Sequence, residues 1–215
     1  MLQIRGTQQR DDSCLAFQQR FDFRLYMWEF EHFLEYGLQK RPDLSVSPSA
    51  IAALRKIFEE VARRLDSQAV CLNHRDYHSW NLMIHDNAVA VIDFQDALLA
   101  PSQYDLACLL NDRITDSVIQ QPLEELLVSY YIDKRADITK QAAPRDDFFE
   151  TYLLSAIQRD LKVVGRFYYL DVVKGKLGYK KFIPPTLRRL KRNLTRLPQL
   201  QKLIPILAEY YEELR

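Results

Sequence analysis

The sequence predicts a mainly α protein with a small β-hairpin set into it, and three observations lead there. Glycine is scarce, five in 215 residues. The long segments repeat their apolar residues at three- and four-residue intervals, the helical rhythm. Only residues 69–94 change to short runs of strand character, two of them separated by Asp86-Asn87, a pair suited to a tight hairpin turn.

Taken in order, residues 1–20 are polar with weak periodicity, and an irregular N-terminal segment is expected there; the helical domain is expected over 21–215. From Phe21 to about Tyr36, Phe23, Met27, Phe30 and Phe33 share a helical face, and Gly37 offers a stop. Ser47-Pro48 supplies an N-cap and a first-turn proline to a second helix carrying Ile51, Leu54, Phe58, Val61 and Leu65. Strands are expected at 69–73, 82–85 and 88–94. Helices follow at about 104–114, 122–135, 146–174, 184–196 and 199–213, with prolines near their starts.

Composition excludes several classes. With 47% hydrophobic residues the chain builds a core without cross-links. Cys14, Cys71 and Cys108 are odd in number and widely spaced, which fits neither a disulfide framework nor paired metal knuckles. Thirty basic against 29 acidic side chains give no bulk attraction to nucleic acid or anionic membrane. No apolar run approaches the roughly 18 residues of a membrane span, so a cytoplasmic protein without a membrane partner is expected.

The chemistry concentrates in HRDYHSWN, residues 74–81, and VIDFQDA, residues 91–97. Phosphoryl transfer needs a carboxylate beside the acceptor hydroxyl and oxygen ligands that hold Mg²⁺ against the phosphates. Asp76 suits the first role, and Asn81 and Asp93 suit the second. A hairpin turning at Asp86-Asn87 would return Asp93 to the side of Asn81. His74 and His78 are four apart, but no glutamate lies between them as HExxH zinc sites require. A loop whose polar groups only satisfy one another is the plainer alternative.

HRDYHSWNLM, VIDFQDALLAPSQYDLACLL and QRDLKVVGRFYYL together resemble the aminoglycoside phosphotransferase and choline kinase superfamily, most of all its bacterial kinases of cell-wall amino sugars. The resemblance covers about residue 21 to the C-terminus and implies the protein-kinase-like C-terminal lobe. It implies catalysis by Asp76, metal binding by Asn81 and Asp93, Mg²⁺ as cofactor and ATP as donor. Transfer to an anomeric sugar hydroxyl of N-acetylmuramate or N-acetylglucosamine follows, with aminoglycoside or choline as the alternative acceptor. His74, Arg75, Tyr104 and Asp105 would support the catalytic loop, Asp105 through Arg75. Asp96, Arg159 and Lys162 are candidates for acceptor or phosphate contacts; as residues of solvated faces they would be unremarkable.

The superfamily's N-terminal β lobe is not found in the sequence: no glycine-rich loop or VAxK strand precedes His74. A truncated chain, inactive or nearly so alone, is expected, with an apolar surface exposed around the hairpin and a tendency to self-associate or to take a missing N-terminal lobe as partner. From Lys162 to Lys202, twelve Lys or Arg face one acid, Asp171. A solvated helical face is the common meaning of such a run. A binding module for an anionic ligand on an inactive kinase fold is the alternative function, with nucleic acid not expected.

Overall fold

The computed structural model describes residues 2–115 and 117–215. They fold as two compact units, one comprising residues up to Phe21 with Ser67–Ser155, the other Asp22–Asp66 with Ala156–Arg215.

In the first unit β1 (Val70–Asn73) pairs antiparallel with β4 (Leu98–Pro101), in the register Val70 to Pro101. On the far side of β4, Leu99 N donates to Gln19 O and Phe21 N to Leu99 O, at 2.9 and 2.8 Å. The outer edge of β1 is covered by α1 (Leu2–Gln8), where the Thr7 hydroxyl accepts from Leu72 N at 2.8 Å. The irregular segment expected over 1–20 is thus corrected: Leu2–Gln8 is helical and Leu15–Gln18 forms the short α2. Tertiary hydrogen bonds hold α1, and a single-chain pattern does not reveal them.

A separate hairpin joins β2 (Leu82–His85) to β3 (Ala88–Val91), with Leu82 opposite Val91. Asp86 and Asn87 both have positive φ, 47° and 58°, the handedness that a two-residue hairpin turn requires. The expected strand over 88–94 stops at Val91, because Asp93 turns the chain at φ 67°. Ile84 and Phe94 are 74% and 71% exposed, and Met83 and Val89 join them on the surface. Around the strands stand α5 (Gln103–Leu110), α6 (Gln121–Thr139) and the first part of α7 (Arg145–Val172). Leu98, Tyr104, Val128, Ile132 and Tyr152 are buried here.

In the second unit α3 (Phe23–His32) starts at Asp22, whose carboxylate accepts from Leu25 N at 2.9 Å. The helix does not stop at Gly37. It continues as a π-helical segment, Phe33–Gln39, in which Gly37 is buried. There glycine serves close packing: a Cβ on Gly37 would lie 2.8 Å from the Phe33 ring, and the Tyr211 hydroxyl donates to Gly37 O at 2.6 Å. Ser47 caps α4 (Pro48–Asp66) through Ala50 N at 3.1 Å, and Phe30 of α3 stacks on Phe58 of α4 at 4.4 Å. The later part of α7 approaches α3 so closely that a Cβ on Gly165 would meet Phe33 Cα at 2.7 Å. The helix expected over 199–213 is broken into a 3₁₀ turn at Pro198–Leu200, α9 (Leu203–Ala208) and a last turn at Glu212–Leu214, after α8 (Ile183–Thr195). Pro205 has no amide proton, so it sits in the first turn of α9, where none is needed.

Candidate active site

Residues 74–81 leave β1 and re-enter the chain at β2, and every turn of this loop is tied down. At its entrance the Asp105 carboxylate, near the start of α5, accepts from His74 N at 2.8 Å and Arg75 N at 2.9 Å. The expected contact between Asp105 and Arg75 is made at the Arg75 backbone amide. Asp105 holds the backbone of Arg75, which is left-handed at φ 75°, and the guanidinium lies 5.7 Å from the Phe21 ring. Burial pushes the Asp105 carboxyl up to about 6, against the pull of the two amides. Tyr104 is fully buried and meets Phe21 edge-on at 4.9 Å, which fixes the turn of α5 that carries Asp105.

Further along, His78 N donates to Asp76 O at 2.9 Å, and Asn81 Nδ2 donates to the same carbonyl at 3.0 Å. The Asn81 amide nitrogen is thereby engaged, and Oδ1 is the end of the amide that could serve as a ligand. Asn81 O accepts from Ile92 N at 3.0 Å, so the hairpin brings the residue before Asp93 onto Asn81. His74 completes the ring of contacts: Nε2 donates to Ile92 O at 2.8 Å, while Nδ1 is buried without a partner. Asp93 itself is exposed, as is Asp96 in the turn that follows.

Three positioning residues carry no sequence signal of their own. Asn73 accepts at Oδ1 from Gln3 Nε2, 2.9 Å, and donates from Nδ2 to Ala100 O, 2.8 Å, locking the residue before His74. Gln3 also donates to Ser102 O and accepts from the Tyr131 hydroxyl. Asp112, buried beyond the end of α5, accepts from the Ser79 hydroxyl. Two buried carboxylates, Asp105 and Asp112, therefore clamp the two ends of the loop.

Arg159 and Lys162 lie in the second unit. Arg159 is buried, and its charge acts on the Asp160 carboxyl. Lys162 Nζ is 3.2 Å from Glu29 Oε1, and Gln158 Nε2 donates to the other oxygen of Glu29 at 2.8 Å. Both cations thus stand beside buried acids of that unit.

Among the described residues no three His, Cys, Asp or Glu side chains are grouped to hold a metal. Asn81 and Asp93 are the two residues that could supply oxygen ligands, a number that would suit Mg²⁺ with phosphate and water supplying the rest. Among the described residues no helix is long and apolar enough to cross a membrane.

Helices surround two short antiparallel strand pairs, and one loop and one hairpin link Asp76, Asn81 and Asp93, residue types that phosphoryl transfer uses. The chain belongs to the phosphotransferase enzyme family, whose sequence profile matches residues 6–153. It is similar to the N-acetylmuramate/N-acetylglucosamine kinase of Pseudomonas aeruginosa, 29% identical over 209 residues that cover 92% of this chain and 60% of that one. The kinase of the same name from Neisseria meningitidis serogroup B is 36% identical over 139 residues, 63% of this chain and 40% of that one. A Pseudomonas putida relative, also so named, is 29% identical over 206 residues. The chain spans 60% or less of the length of these relatives.

Proposed function

We propose that this chain carries the metal- and acceptor-positioning part of an ATP- and Mg²⁺-dependent phosphotransferase. Its acceptor is an amino sugar, at the anomeric hydroxyl of N-acetylmuramate or N-acetylglucosamine, in cell-wall recycling in the cytoplasm. The observation that supports this reading is the pair of bonds from Asn81 Nδ2 to Asp76 O and from Ile92 N to Asn81 O, which ties together the backbone that carries Asp76, Asn81 and, one residue on, Asp93. Asp76 would orient the acceptor hydroxyl and take its proton; Asn81 Oδ1 and the Asp93 carboxylate would hold Mg²⁺, whose charge would offset that of the phosphates. Among the described residues only two two-stranded sheets are present, and the sequence has no glycine-rich loop to cover a triphosphate. The exposed apolar hairpin supports a reading in which a further lobe packs there, and without it transfer is slow or absent.

The test is isotope-detected phosphate transfer from ATP with Mg²⁺ to both sugars, at high protein concentration, alongside Mn²⁺ relaxation as a measure of metal–ATP binding. Asp76→Asn is expected to abolish whatever transfer the chain shows while sparing metal–ATP binding, and Asp93→Asn to abolish both. Metal–ATP binding that is indifferent to Asp93→Asn overturns the proposal.

A further inference from the structure

The basic run from Lys162 to Lys202 does not survive folding as one face. Arg189 is buried against Asp160, Lys180 pairs with Asp171 at 2.7 Å, and Lys202 pairs with Glu60 at 2.7 Å. Two exposed cations of the run converge instead on a single ring. Arg166 Cζ and Lys174 Nζ lie 5.0 and 5.8 Å from the centroid of Tyr169.

Tyr169 belongs to an aromatic cluster. Tyr36 meets it edge-on at 4.9 Å and His32 at 5.4 Å; His32 contacts Tyr36 at 4.7 Å and stacks on Trp28 at 5.9 Å with 23° between planes. Trp28 is 61% exposed, although Phe30 and Phe58 of the same unit are fully buried. An indole left so far in water and stacked on His32, at the end of that cluster, offers stacking surface. The backbone on both sides is also specialised. The π-helical segment begins at Phe33, directly after His32, and such segments inside helices frequently mark functional sites. At the other side Gly175, at φ 61°, closes α7 with Lys176 N donating to Leu170 O at 2.9 Å, the cap that leaves Lys174 turned over Tyr169. Burial, and then the charge of Arg166, hold His32 below its ordinary pKa, so it adds a neutral ring.

We infer that Trp28, His32, Tyr36 and Tyr169, with Arg166 and Lys174, form a binding site for a sugar ring that carries one anionic group. The C–H face of a pyranose packs on the exposed indole, and a carboxylate or phosphate meets the two cations. The acids acting on His32, Glu35 and Glu29, are already paired with Lys40 at 2.6 Å and Lys162 at 3.2 Å, so they do not cancel Arg166 and Lys174. The choice of a sugar as the ring rests on the proposed function; the stacking and cation geometry does not.

The chain has two tryptophans, so two indole N–H signals report on Trp28 and Trp80 separately in a ¹⁵N spectrum, with Trp28→Phe giving the assignment. N-acetylmuramate, N-acetylglucosamine, N-acetylglucosamine 6-phosphate and AMP are titrated without metal or ATP. Both anionic sugars are expected to shift the Trp28 signal at concentrations about tenfold below the neutral sugar, the advantage fading in about 0.5 M salt. Arg166→Gln with Lys174→Gln, both at exposed positions, should remove that advantage without changing the melting temperature. The relative strength of the carboxylate and phosphate arms shows which anion the cations prefer. Equal response to neutral and anionic sugars, insensitivity to the double substitution, or a Trp28 response to AMP alone overturns the inference. Asp93→Asn protein, which tests the phosphotransfer reading, should give the same Trp28 titrations, so failure of one idea is distinguishable from failure of the other.

Discussion

Asp105 binds the consecutive backbone amides of His74 and Arg75, at 2.8 and 2.9 Å, so one buried carboxylate sets the entry to the loop that carries Asp76. Two oxygens meet two amides. Asp105→Asn keeps one acceptor and turns an NH₂ group toward the other amide, leaving a buried donor unpaired. A loss of about 1–3 kcal/mol in urea unfolding is expected, with the Ser79–Asp112 end of the loop unable to restore it. An unchanged midpoint would remove Asp105 from this role.

The same carboxylate links stability to pH. Burial raises it from 3.8 to about 6, so folding takes up a proton between those values. Its favourable contribution is complete below 3.8 and is lost as pH rises through 6, on the order of 2–3 kcal/mol. Unfolding of the wild-type chain should therefore become easier from pH 4.5 to pH 7 by a component that Asp105→Asn lacks. The ionised form is nevertheless the one that accepts both amides, so order in residues 74–76, read by amide exchange, should increase over the same interval.

Gly165→Ala tests the close approach of α7 to α3. Alanine normally favours a helix interior by about 1 kcal/mol over glycine. Here its Cβ would stand 2.7 Å from Phe33 Cα, a backbone atom that cannot rotate aside. The expected result is a net loss of about 1–3 kcal/mol by thermal unfolding. Gly175→Ala is the contrasting case: no atom lies within 4 Å, and only the left-handed backbone resists, at about 1 kcal/mol.

Arg189 and Asp160 form a buried pair at 2.7 Å. Burial pushes the Asp160 carboxyl upward and Arg189 pulls it back. Arg189→Met should cost about 3 kcal/mol by removing the hydrogen-bonded partner of the buried carboxylate, on which only the charges of Arg159 and Arg192 then act, and Arg189→Met with Asp160→Leu should recover most of it. The single variant should lose less in acid, where protonation relieves the carboxylate. Denaturant titrations of the three proteins at two pH values decide this.

Much of the site could be read from local chemistry. Asp86-Asn87 announces the hairpin because few residue pairs tolerate two consecutive left-handed conformations. The spacing from Asp76 to Asn81 to Asp93 then fixes which backbone groups meet. Less legible were the elements that depend on distant partners. Leu98–Pro101 lies outside every element expected from the sequence and is a strand by its pairing with β1, and Leu2–Gln8 has no buried residue to give it a helical pattern. Gly37 was misread as a helix stop because its reason for being glycine, the Phe33 ring and the Tyr211 hydroxyl, lies in tertiary packing. The brace at Asp105 was legible as a residue but not as a geometry, since backbone amides leave no mark in a sequence.

Arg75, Asp86, Asn87 and Asp93 hold their backbones with positive φ, at 75°, 47°, 58° and 67°. Mirror-image residues prefer that hand, so a semisynthetic protein with D-amino acids at these places keeps its chain path. At Asn87 only relief of backbone strain would follow. At Asp93 the inverted centre would keep the chain path yet aim the carboxylate elsewhere, separating by chirality alone the path of the peptide from the ligand it delivers.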